Sequence, residues 1–199
     1  MSSTQSPAGP SRSVYITLGI IVLISGFCAL AYQVVWLREF RLIFGGAAPA
    51  ASAVLAVFMG GLGAGGAMLG KWVERSTNPG RFYAFLEGGI TITALITPLL
   101  MALVRHLYIQ TGGIQTLGLT TATLLQILMT AVVLGPTCFL MGGTLPAMLK
   151  IVQSDADTHR VTTAVFYGLN VCGAVVGAFL ASFVMLPSGG NLLTIYRLR

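Results

Sequence analysis

Residues 14–35 read VYITLGIIVLISGFCALAYQVV, without one charged side chain. As a helix such a stretch reaches about 33 Å, enough for a hydrocarbon core of roughly 30 Å. Inside a bilayer its backbone has no water to bond, so it must close its own hydrogen bonds as a helix; an isolated strand leaves them open. Tyr15 near one end and Trp36 beyond the other stand where interfacial aromatic belts form.

Four further stretches follow the same pattern. Residues 50–70 run apolar until Lys71, Glu74, Arg75 and Arg81; residues 82–104 end at Arg105 and His106; residues 120–149 contain Gly135 and Pro136; residues 161–186 end at Pro187 and Ser188. The fourth is long enough that Gly135 and Pro136 are expected to kink it or split it in two. Trp72, Tyr83 and Tyr108 lie at the remaining boundaries. The expected fold is therefore all-α: a polytopic transmembrane bundle of about five spans, half-transporter-like. Residues 1–13, rich in Ser, Pro and Gly, read as a flexible tail. Residues 187–199 read as a short tail or the start of a truncated sixth helix. Ala29-Leu30-Ala31 resembles a signal-peptidase site, but the apolar run before it is longer than a usual signal-peptide core.

Composition agrees. Of 199 residues 55% are hydrophobic and only 8% charged, and there are 25 glycines; an ordinary soluble domain has about 25% charged residues. The net charge of +6 would suggest nucleic acid in a soluble protein. Here the basic residues sit between apolar runs and read as topology signals and headgroup contacts, so no nucleic-acid partner is expected and the bilayer is the first partner. Arg12, Lys71, Arg75, Arg81, Lys150 and Arg160 fall on the N-terminal side; Arg38, Arg41 and Arg105, with Arg197 and Arg199, fall on the other. The dense cluster between spans two and three favours a cytoplasmic N-terminus; the membrane itself is expected to be a bacterial inner one. Cys28, Cys138 and Cys172 lie inside apolar runs without CxxC spacing, so neither a metal nor another cofactor is expected.

Gly61-Leu62-Gly63-Ala64-Gly65-Gly66 matches GxGxxG, with Glu87 at the offset of a ribose-binding acid. That fingerprint works only between a strand and a helix of a βαβ unit, and these glycines lie in an apolar span. They read instead as packing surfaces. Gly61 and Gly65, Gly66 and Gly70, and Gly173 and Gly177 fall at GxxxG spacing, which lets helix backbones approach closely, and this marks spans two and five for tight packing.

Glu87 is the one acid well inside a span. An intramembrane carboxylate is costly, so either it attracts a cationic solute or a proton, or it pairs with an interfacial arginine. Gln33, Gln126 and Asn170 are lone amides in apolar spans, either glue between helices or the lining of a polar route. Residues 36–44 alternate apolar and charged groups at helical spacing and should carry the first helix onward; Arg38 and Arg41 would reach lipid phosphates beside Glu39, unless the segment forms a vestibule or docking face. His106 and His159 fall on opposite sides of the membrane, and no acid-base or nucleophilic constellation assembles.

The loop Gly70-Lys71-Trp72-Val73-Glu74-Arg75, followed by Asn78-Pro79-Gly80-Arg81, resembles the charged cytoplasmic loop between helices two and three of major facilitator transporters, with Glu74 able to pair with Lys71, Arg75 or Arg81. Trp72 and Val73 replace the usual Leu and Ala, Glu74 the usual Asp, and the spacing to Gly80 is longer. A plain positive-inside loop is the alternative.

Residues 25–38 (Ser25-Gly26-Phe27-Cys28 through Trp36-Leu37-Arg38), then Phe44-Gly45-Gly46, Leu55 to Gly65, Leu86-Glu87-Gly88-Gly89-Ile90, Gly135-Pro136-Thr137, Leu140 to Pro146 and Tyr167 to Ala178 together resemble the membrane region of the membrane-bound spermidine synthase-like proteins, sometimes described as fused transporter and aminopropyltransferase proteins. The resemblance covers nearly all of residues 14–190. It implies a helical membrane half that precedes a soluble aminopropyltransferase domain. No such domain is visible in this chain, which stops at Arg199 where the family would begin a sixth helix, so no catalytic residues carry over and this chain alone is not expected to be an enzyme.

The resemblance and Glu87 together imply handling of a polyamine or another small cationic solute, with Gln33, Gln126 and Asn170 along its route. The alternatives are an accessory or assembly subunit packed through its glycine faces, and a membrane anchor for an aminopropyltransferase elsewhere. A homodimer or another membrane subunit would supply the second half that transporters usually need.

Overall fold

The computed structural model describes residues 12–45, 48–152 and 159–185. Helices α1 (Arg12–Phe44), α2 (Ala48–Arg75), α3 (Pro79–Gln110), α4 (Gly113–Leu117), α5 (Leu119–Val152) and α6 (His159–Leu180) follow one another, and α6 runs into a π-helical turn at Ala181–Met185. Five segments are long and apolar enough to cross a membrane, the last of them Val161–Met185. The protein is a polytopic all-α membrane bundle, with no strand among the described residues.

The helices overrun their apolar cores. α2 carries on through Lys71 to Arg75, and α3 through Arg105 and His106 to Gln110. Helical hydrogen bonds are as good in the headgroup layer as in the core, so charge ends the buried part of a helix rather than the helix. Local chemistry stops the chain instead. Gly45 adopts φ 92° after α1, and Gly112, Gly113 and Gly118 take positive φ around the short α4, which only glycine does without strain. The side chain of Asn78 accepts a hydrogen bond from the Arg81 amide at 3.2 Å, and Pro79 opens α3 where its missing N–H costs nothing.

Span four is one helix. Pro136 and Pro146 both lie inside α5, so of the two expectations, a kink or a split, the split is not made. α5 lies between α2 and α3, while α6 packs almost wholly against α1, which touches the rest of the bundle more lightly.

Two glycine seams set this arrangement. A Cβ at Gly65 would overlap the carbonyl of Phe139 in α5, one at Gly61 would sit 2.6 Å from the Cys138 Cβ, and Gly142 of α5 meets Leu62 and Gly66 in return. In the second seam Gly173 and Gly177 of α6 lie on the carbonyls of Leu23 and Phe27 in α1, and Gly26 of α1 lies on Asn170. Spans two and five therefore do pack tightly, each against a different partner. Gly70 is the exception, since a Cβ there would only touch Pro146 at 3.8 Å.

The main apolar core gathers where α1 ends. Trp36, Phe40 and Phe44 pack with Val54, Phe58, Val104 and Leu134; Phe44 meets Tyr108 edge-on with ring centroids 4.8 Å apart. Residues 36–44 do carry α1 onward, but one face is buried in this core. Trp36 is 4% exposed and Tyr108 6%, so neither is a lipid-facing anchor: spaced i, i+4, i+8, Trp36, Phe40 and Phe44 form a stripe that faces the bundle. Trp72, at 59% exposure, keeps the expected outward position. Of the proposed tails, residues 1–11 and 187–199 lie outside the described residues, and Arg12 and Ser13 already belong to α1.

Candidate functional site

α1 and α3 face each other across a groove with few direct contacts. Part of it is a cavity of about 290 Å³ lined by Ser25, Cys28 and Tyr32 of α1 and by Tyr83, Glu87 and Ile90 of α3. Tyr83 and Glu87 are one turn apart on the same helix face, and the Tyr83 hydroxyl lies within interaction range of Glu87 and Ser25.

Glu87 Oε1 is buried and has no hydrogen-bond partner, and the same holds for the Tyr83 hydroxyl oxygen. No arginine or lysine lines this cavity, so the structural ion pair that was the alternative for Glu87 is not formed among the described residues. A buried carboxylate oxygen without a partner loses hydration without compensation. With a tyrosine and a serine hydroxyl as added acceptors, the arrangement suits a group rich in N–H donors and positive charge. Ile21, Ile24, Ile90 and Met141 supply apolar wall.

Gln33 and Gln126 do not join Glu87, so the expected polar route through all three amides is not assembled; Asn170 lines a small neighbouring space with Ser25 and Tyr83, though not the Glu87 cavity itself. Gln126, fully buried, donates through Nε2 to the Tyr108 hydroxyl at 2.8 Å and ties α5 to α3 in the core. Asn170 donates through Nδ2 to the Val22 carbonyl at 3.3 Å and staples α6 to α1. Gln33 is 7% exposed, its Oε1 has no partner, and it lines no described cavity. Packing explains two of them: a lone amide in an apolar helix finds the nearest backbone or hydroxyl partner across a seam.

Of the two readings of the charged loop, the one with Glu74 paired is not formed. Lys71, Glu74, Arg75 and Arg81 are exposed, and among the described residues their side chains form no ion pair. Solvent screening makes such pairs worth little. Lys150 at the end of α5 makes the connection instead, donating through Nζ to the Val73 carbonyl at 2.8 Å and to the Glu74 carbonyl. It thereby meets the negative end of the α2 dipole. Sequence reading counted Lys150 only as a topology charge; the signal available was a lone lysine closing a long apolar run. Tyr83 was likewise read as a boundary aromatic, although its i, i+4 spacing to Glu87 was in view.

Among the described residues no three His, Cys, Asp or Glu side chains are placed to share a metal ion, and the described cysteines are free thiols. Fold and groove define a multi-pass helical membrane protein in which Glu87, with one carboxylate oxygen buried, lines a cavity between the first and third helices. No family model, curated protein or solved structure matches the chain.

Proposed function

We propose that this protein binds a small cationic, amine-bearing solute of the polyamine kind within the membrane, with Glu87 as its counter-charge. The observation that carries the reading is the buried, partnerless Oε1 of Glu87 beside Tyr83 and Ser25. An ammonium group brings three donors and no acceptor, and these three side chains offer the complementary acceptors. The isoleucines and Met141 suit the methylene spacers between amines. The resemblance to the membrane region of spermidine synthase-like proteins points to the same solute class, and on this reading the chain is the membrane half of such a protein, in a bacterial cytoplasmic membrane with its N-terminus inside. The basic residues Lys71, Arg75, Arg81 and Lys150 at one end of the bundle support that orientation.

The test is calorimetric binding of spermidine to the full chain in detergent, comparing the unaltered protein with Glu87→Gln. The isosteric amide keeps the shape and removes the charge. Binding is expected to weaken at least about tenfold, which corresponds to ~1.4 kcal/mol, with folded yield and thermal midpoint unchanged. Unaltered affinity in the variant refutes the assignment.

A further inference from the structure

Among the described residues that line the Glu87 cavity, Glu87 is the single acid. Ser25, Tyr32 and Tyr83 contribute hydroxyls, Cys28 a thiol, and the rest of the wall is hydrocarbon. The small space beside it, which shares Ser25 and Tyr83, adds Thr144 and Asn170 but no acid. Both of those side chains already donate, Thr144 to the Met141 carbonyl at 2.8 Å and Asn170 to the Val22 carbonyl at 3.3 Å. One carboxylate neutralises one ammonium. A second ammonium set against the hydrocarbon wall would keep the whole of its desolvation cost.

Neither direction out of the cavity supplies the missing charge. Along α1 the next acid is Glu39, which already has a partner and lines a separate cavity together with Arg105. It lies eleven residues beyond Cys28, about 16 Å along the helix. The five single bonds between the nitrogens of a four-carbon diamine, each about 1.5 Å, span less than about 8 Å. In the other direction Arg81 stands six residues before Glu87, about 9 Å along α3. It is exposed, and with Lys71 and Arg75 it outnumbers the exposed Glu74 at that end.

We propose that the cavity recognises one terminal ammonium together with the alkyl arm that carries it, so that a polyamine binds end-on and its remaining ammonium groups stay outside the cavity. The inference rests on the solute reading of Glu87 and narrows it: the recognised unit is a singly charged primary aminoalkyl group, and charges beyond the first add nothing to affinity. Glu87 takes the ammonium beside the Ser25 and Tyr83 hydroxyls, and Ile21, Ile24 and Met141 cover the arm. A diamine acylated at one end keeps one ammonium and the same arm, so it makes the same contacts as the free diamine.

The experiment titrates the full chain in mild detergent with putrescine, N-acetylputrescine, spermidine and methylamine by calorimetry, at neutral pH and one ionic strength, with Glu87→Gln as the baseline. Putrescine, N-acetylputrescine and spermidine are expected to bind within about fivefold of one another. Methylamine, which lacks the arm, should bind at least about tenfold more weakly than putrescine. Putrescine or spermidine binding more than about fivefold tighter than N-acetylputrescine overturns end-on recognition and leaves Glu87 as the counter-charge. Methylamine matching putrescine overturns it as well, because the arm would then go unread. These comparisons need only the unaltered chain. Unchanged binding in Glu87→Gln, or no binding of any amine to the unaltered chain, overturns the solute reading itself and this inference with it.

Discussion

Gly65→Ala tests whether the α2–α5 seam holds the bundle together. The added Cβ would overlap the Phe139 carbonyl oxygen and come within 2.7 Å of its carbon and 3.0 Å of its Cα. These are backbone atoms, so no side chain can swing away; α2 and α5 must separate by roughly 1 Å. A gap of that size forfeits about a quarter to a half of each dispersion contact along the seam. Overpacking costs about 1–3 kcal/mol, and a rigid backbone neighbour puts Gly65→Ala at the upper end, ~2–3 kcal/mol. Gly63→Ala is the matched control in the same helix, because nothing lies within 4 Å of its added Cβ, and helix propensity favours Ala over Gly by up to about 1 kcal/mol. Equilibrium unfolding in mixed detergent micelles, followed by circular dichroism, reads the difference. Gly65→Ala should unfold at clearly lower denaturing-detergent fraction than the unaltered chain, and Gly63→Ala at the same fraction or higher. Equal midpoints for the two variants would refute the close-packed seam. Gly173→Ala, on the separate α1–α6 seam against Leu23, should add to Gly65→Ala without coupling.

Two further outcomes follow from the polar groups. Tyr108→Phe removes the acceptor of the buried Gln126 bond and should cost about 0.6–1.7 kcal/mol; adding Gln126→Leu should return part of it, since no donor is then left unpaired, and a double variant weaker than the sum of the single ones would contradict this. Ser76→Cys, placed in the turn between α2 and α3 in a chain with its three native cysteines changed to Ala, should react with a membrane-impermeant maleimide only in inside-out vesicles; labelling from the outer face would reverse the proposed orientation.

Much of the fold was legible in residues such as those of 14–35. A charge-free stretch of that length has one backbone solution in hydrocarbon, so helices and their number follow from composition. The GxxxG pairs likewise announced close packing at Gly61, Gly65, Gly173 and Gly177. Their partners were not legible, because a small residue states only that something comes near. Gly65 meets Phe139 and Gly173 meets Leu23 because of how the helices are arranged around α5. Whether the fourth span kinks or splits at Gly135 and Pro136 was open in the sequence for a related reason: Pro136 and Pro146 remove N–H groups, and α5, packed against α2 and α3, is one continuous helix.

The candidate site divides the same way. That Glu87 needed a reason was readable from one residue, since a carboxylate inside an apolar span carries its desolvation cost wherever the helix goes. Whether Gln33, Gln126 and Asn170 shared its surroundings depended on helix rotation and neighbours, and those sent Gln126 to Tyr108 and Asn170 to Val22. Tyr83 and Ser25 joined Glu87 because α1 and α3 stand apart there, and Ala94, Pro98 and Ala102 line the groove farther along α3. Sequence by itself determined what each helix could not tolerate facing, namely charge in lipid and bulk at a glycine face. Only the tertiary structure decided which surfaces met, because in a bilayer the selection among apolar partners is made by shape and by the few hydrogen bonds across each seam.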